Sequence, residues 1–99
     1  MLEMPELPEL YKSNLDRATK LLKAAGCTDI FLFGSLASGD VHERSDIDLA
    51  VRGCSKHDFF QILGKLLMEL DYPVDLINLD KQDDLARYLE QSGELRQIS

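Results

Sequence analysis

The sequence predicts an α/β domain with a small central sheet flanked by helices. Three observations predict it. Apolar residues near the start recur at helical spacing, short apolar or strictly alternating runs follow, and a further helix-period segment separates two of those runs. The chain has 99 residues, a length that suits one core, and residues 1–99 are read as a single minimal domain.

The elements follow in order. Leu15, Ala18, Leu22 and Ala25, with Leu21 beside them, place a helix over residues 8–25, and Gly26 supplies its stop. Ile30-Phe31-Leu32-Phe33 is a short apolar run and reads as a buried strand. Gly34-Ser35 comes next, with Ser35 positioned to cap a helical turn at Leu36-Ala37-Ser38. Over residues 46–52 the pattern alternates: Ile47, Leu49 and Val51 share one face, and Asp46, Asp48 and Ala50 share the other. Ser55 and Asp58 form a capping-box pattern ahead of Phe59, Phe60, Leu63, Leu66, Leu67 and Leu70, an amphipathic helix that ends before Pro73. Residues 74–79 read as a third strand. Asp80 then caps a last helix with Leu85 and Leu89 on its core face, and Gly93 ends it.

Charge and composition remove several function classes. Lys and Arg number 11 against 18 Asp and Glu, a formal net charge of −7. Such a balance repels a phosphate backbone, so direct nucleic-acid binding is not expected, and a cation or a cationic partner fits better. No apolar run approaches a membrane span, and residues 1–6 lack the pattern of a secretory leader. Cys27 and Cys54 are too few for a disulfide scaffold and lack CxxC spacing, which predicts two reduced thiols in a cytoplasmic protein. His42 and His57 read as solvated side chains, and Tyr11, Tyr72 and Tyr88 as packing residues.

Three carboxylates stand where carboxylates are disfavoured. Asp46 and Asp48 begin a strand and project to the same side, and Asp75 interrupts an apolar strand. If the two strands are neighbours, three like charges meet, and a divalent cation relieves the repulsion. Oxygen ligands with no His or Cys in the motif select Mg²⁺ or Mn²⁺. Gly34-Ser35 after a strand offers backbone N–H groups to an anion. Together these features suit a nucleoside triphosphate and its two metal ions. Asp46 and Asp48 would bridge the metals, and Asp75 would stand near the incoming hydroxyl as ligand or proton acceptor.

Gly34-Ser35-Leu36-Ala37-Ser38-Gly39 through Ser45-Asp46-Ile47-Asp48-Leu49-Ala50-Val51 resembles the GS-x10-DxD signature of the DNA polymerase β-like nucleotidyltransferases. The short chain is similar to their minimal nucleotidyltransferase (MNT) group. The resemblance spans the chain from the first helix to the C-terminus. It implies a small mixed central sheet flanked by helices. It also implies Asp46, Asp48 and Asp75 as catalytic residues and metal ligands, and Gly34, Ser35 and Ser45 as nucleotide-binding residues.

Many minimal members are antitoxins whose partner is a helical HEPN ribonuclease toxin. The resemblance therefore implies Mg²⁺-dependent transfer of AMP from ATP to a tyrosine hydroxyl of such a toxin, in a hetero-oligomer. Family antitoxins often carry Arg in a GSRARG-like turn, where this chain has Leu36 and Ser38; Arg44, Arg52 and Lys56 are candidate replacements. Two other functions share the same residues. One is an antitoxin acting by contact alone, and the other is a transferase for an antibiotic-type small molecule completed by a helical subunit.

Overall fold

The computed structural model describes residues 7–38, 46–54 and 59–99. Their order is α1 (Glu9–Ala24), β1 (Asp29–Phe33), α2 (Gly34–Ser38), β2 (Ile47–Arg52), α3 (Phe59–Glu69), β3 (Val74–Asn78), a 3₁₀ turn (Leu79–Lys81), α4 (Asp84–Ser92) and β4 (Arg96–Gln97). The strands form one mixed sheet in the order β3-β2-β1-β4. β1 runs antiparallel to both β2 and β4, whereas β2 and β3 are parallel. A parallel pair needs a crossover, and α3 lies within it.

Period-2 alternation sorts the strand residues onto two faces. Ile30, Leu32, Ile47, Leu49, Val51, Val74 and Leu76 join the main core with Leu15, Ala18 and Leu22 of α1 and with Ile62 and Leu66 of α3. Each fully buried leucine there contributes roughly 1.5–3 kcal/mol of hydrophobic stabilisation. On the other face Phe31, Phe33, Ala50 and Ile77 pack with Leu79, Ala86 and Leu95. The sheet is thus covered on both sides, by α1 and α3 on one and by α4 with the 3₁₀ turn on the other.

A polar latch ties α1 to the turn after α3. Asn14 is fully buried. Its Nδ2 donates to Leu10 O and to Asp71 Oδ2, and its Oδ1 accepts from Asp71 N at 2.7 Å. Arg17 donates to the same Asp71 carboxylate at 2.7 Å and to Glu69 O. These donors hold the Asp71 carboxyl below its usual range, Asn14 first and Arg17 second. Beside the latch, Tyr11 is buried and stacks on Tyr72 at 4.1 Å between ring centroids.

Four expectations change. First, Cys27 and Cys54 are joined by a disulfide rather than being separate reduced thiols. Cys27 lies just before β1 and Cys54 just after its antiparallel partner β2, so the hairpin register brings the two ends together. Second, the last helix is capped by Asp83, whose Oδ1 accepts from Ala86 N at 2.9 Å. Asp80 sits inside the 3₁₀ turn and accepts from Gly53 N. Third, α4 buries Ala86 and Leu89 and leaves Leu85 exposed, while α3 buries Ile62, Leu66 and the following Leu70 and exposes Phe60 and Leu67. The apolar stripe of α3 is wider than the surface it covers. Fourth, β4 was not expected. The proposed capping box at Ser55 and Asp58, and His42, Arg44, Lys56 and His57, lie outside the described residues.

Candidate active site

The site is built at the ends of three strands. Asp48 is the second residue of β2 and Asp75 the second of β3, and the parallel register sets them directly opposite each other. On its other side Asp48 pairs with Phe33, the last residue of β1. Directly opposed residues share a face, so both carboxylates stand on the face covered by α4, beyond the apolar residues that α4 covers. Asp46 precedes β2 and is exposed. The expected adjacency of the third strand therefore holds, and it brings Asp75 to Asp48.

The electrostatics follow from that placement. The Asp48 carboxyl is pushed up from its usual 3.8 to about 6. Burial is the main cause, followed by the charges of Asp75 and Asp46 and by a hydrogen bond with Asp75. All four favour the neutral form of Asp48, which donates a proton toward Asp75. A structural strand has no use for such a pair, since the like charges destabilise the fold at neutral pH. An all-oxygen pair of this kind suits a hard divalent cation. Among the described residues no three acidic, His or Cys side chains close into one ligand cluster. Asp48 and Asp75 are therefore the close pair, and Asp46 acts on Asp48 through its charge from the residue before β2.

Gly34 completes the wall beside Asp48. Its φ is +72°, a conformation that side chains other than glycine rarely adopt. A Cβ placed there would collide with Asp48 Oδ2. The position is thus reserved for bare backbone at the edge of the carboxylate pair, where a ligand can approach closely. Ser35 follows within the first turn of α2 rather than ahead of it. Ser38 Oγ donates to Ser35 O at 3.1 Å. Leu36 and Ala37 are buried and anchor the turn to the main core. Ser45 lies outside the described residues.

Arg52 does not reach this site. It ends β2, paired with Glu90 at 2.6 Å and lying over the Phe31 ring, at the opposite end of the strand from Asp48. A cation near Gly34 that the sequence pattern does not signal is Arg96. It lies opposite Leu32 on β4 and lines a cleft of about 410 Å³ with Gly34, Ala37, Ser38, Gly93 and Glu94. A two-residue polar strand carries no periodic signal that would have placed it.

Comparison with known proteins gives a consistent result. No curated protein matches the chain. Solved structures similar in fold include three at 26–29% sequence identity. A crystal structure of a toxin–antitoxin with AMP-PNP aligns at 29% identity with a TM-score of 0.68, over 85% of this chain and 71% of that one. The MntA-HepT toxin–antitoxin aligns at 26% identity and a TM-score of 0.63, over 89% and 71%. A tri-AMPylated Shewanella oneidensis HEPN toxin in complex with MNT antitoxin gives 26% identity and a TM-score of 0.64, over 89% and 71%. The family model described as polymerase beta, nucleotidyltransferase, matches residues 18–95. That match covers most of the chain and contains Gly34, Asp46, Asp48 and Asp75, and the chain accordingly belongs to the polymerase beta nucleotidyltransferase family.

Proposed function

We propose that this nucleotidyltransferase is an antitoxin that transfers AMP from ATP to a tyrosine hydroxyl of a HEPN-type helical toxin, with Mg²⁺ as cofactor. The observation that carries the reading is the Asp48–Asp75 pair beside the bare backbone of Gly34. Toxin–antitoxin neighbours with AMP-PNP in one case and an AMPylated toxin in another support it. In the reaction the acceptor oxygen bonds to the α-phosphorus of ATP. The bond from that phosphorus to the β-phosphate bridging oxygen breaks, and pyrophosphate leaves.

Asp46, Asp48 and Asp75 are assigned as catalytic residues and metal ligands. Bound there, Mg²⁺ would neutralise charge on the phosphates and on the attacking oxygen. Asp75, the more exposed of the paired carboxylates, accepts the hydroxyl proton as the acceptor oxygen closes on phosphorus. Gly34 and Ser35 are assigned to the phosphates, and the family signature assigns Ser45 the same role. The acceptor is supplied by the partner chain, so the working unit is a hetero-oligomer. The use of ATP supports a cytoplasmic reaction; among the described residues no helix is long and apolar enough to cross a membrane.

Intact-mass spectrometry of the chain with ATP, Mg²⁺ and its genomic-neighbour protein tests the reading. One or more AMP increments on the neighbour are expected, located to tyrosine by peptide mapping. A stable complex with no increment would overturn the transfer reading in favour of neutralisation by contact. An increment only on an added small-molecule hydroxyl would overturn the protein acceptor.

A further inference from the structure

We propose that Arg96 of β4 holds the terminal phosphates of the nucleoside triphosphate. The inference rests on the nucleotidyl-transfer reading and adds a residue to it. A triphosphate carries several negative charges, and the paired carboxylates beside Gly34 are themselves negative, in a chain of net charge −7. A protein cation would complement the charge at the end of the triphosphate that lies away from Asp48 and Asp75.

The geometry points to Arg96. Gly34 is the common border of two sites. On one side its backbone abuts Asp48, and on the other it lines the cleft that contains Arg96. Arg96 pairs with Leu32, two residues before Gly34, which holds its side chain on the sheet face that also receives Leu36 and Ala37 of α2. Asp48 and Asp75 stand on the opposite face. A ligand lying across Gly34 therefore has the carboxylates at one end and a guanidinium at the other. Among the described residues the Arg96 side chain makes no hydrogen bond and no ion pair, although Glu94 lines the same cleft. Arg17 and Arg52, by contrast, are both committed to carboxylates. A planar guanidinium with free donors suits bidentate contact with phosphate oxygens.

The strand that carries Arg96 is secured independently of its side chain. Ile98 N donates to Ile30 O at 2.8 Å and Ile30 N to Ser99 O at 3.1 Å, and Ile98 packs on the main core. Arg96→Gln should therefore keep the pairing and remove only the charge.

Calorimetric titration of the full chain with Mg²⁺-ATP and, separately, with AMP tests the assignment. Arg96→Gln is expected to weaken ATP about tenfold or more while changing AMP by less than about twofold, and Arg96→Lys should recover part of the loss. The melting temperature of both variants should match the parent. If Arg96→Gln binds ATP as the parent does, or loses ATP and AMP equally, the role of Arg96 is overturned and the transfer reading stands. If the parent chain itself binds no ATP, both fall.

Discussion

Asp48 and Asp75 face each other across the parallel β2–β3 pairing, and burial together with the neighbouring Asp75 charge makes Asp48 a weaker acid than an ordinary aspartate. The fold keeps this unfavourable contact next to Gly34, which also borders the cleft that contains Arg96. Replacing Asp48 should separate stability from activity. Asp48→Asn is expected to lower AMP transfer by at least about a hundredfold and to raise the melting temperature at pH 7.5. Paired assays of mass increment and thermal unfolding check this, and a variant of parental activity would contradict the site.

The same pair makes a prediction in pH. The Asp48 carboxyl titrates near 6 in the folded chain and near 3.8 when unfolded. Between those values the native state binds more protons, so its contribution to stability falls as pH rises through the window. Urea unfolding of parent and Asp48→Asn should give curves that converge near pH 4 and separate up to about pH 6, with no further separation above it.

A divalent cation should reverse that penalty. At pH 7.5, Mg²⁺ is expected to raise the melting temperature of the parent in a concentration-dependent way, by mass action on the native state. Asp48→Asn and Asp75→Asn should respond weakly or not at all. An equal response in all three would place the cation elsewhere.

Gly34→Ala combines a positive φ with a collision against Asp48. A loss of about 1–3 kcal/mol in stability is expected, together with loss of transfer. Chemical denaturation and the mass assay measure the two effects side by side.

The Asn14 latch lies away from the carboxylate pair and serves as a contrast. Asn14→Ala leaves Asp71 N without its acceptor and removes the donor to Leu10 O and Asp71 Oδ2, and should cost roughly 1–3 kcal/mol. The Asp71 carboxyl, no longer held by Asn14, should titrate closer to its ordinary value, as NMR titration would show. Transfer at a temperature well below melting should be unchanged.

Much of this was legible in the residues. Leu15, Ala18 and Leu22 gave the buried face of α1, and the alternation at Ile47–Val51 gave both the core face of β2 and the odd position of Asp48. The bond between Cys27 and Cys54 was not legible, because it depends on hairpin register rather than on spacing. The choice between Asp80 and Asp83 as helix cap was equally open, since either can accept from a nearby backbone N–H and only the 3₁₀ turn decides. The exposure of Leu85, Phe60 and Leu67 depends on what packs against each helix, which periodicity does not report. Arg96 escaped notice because an edge strand of two exposed residues shows no pattern.

The Cys27–Cys54 bond makes a closed ring of the stretch from before β1 to after β2, and Gly34, Ser35, Asp46 and Asp48 are all members of that ring. Asp75 and Arg96 lie outside it. A single peptide-bond cut within residues 28–53 therefore leaves one covalent molecule while the bond is oxidised and yields two fragments once it is reduced. Electrophoresis of nicked chain with and without reductant would display the ring directly, as one band that becomes two.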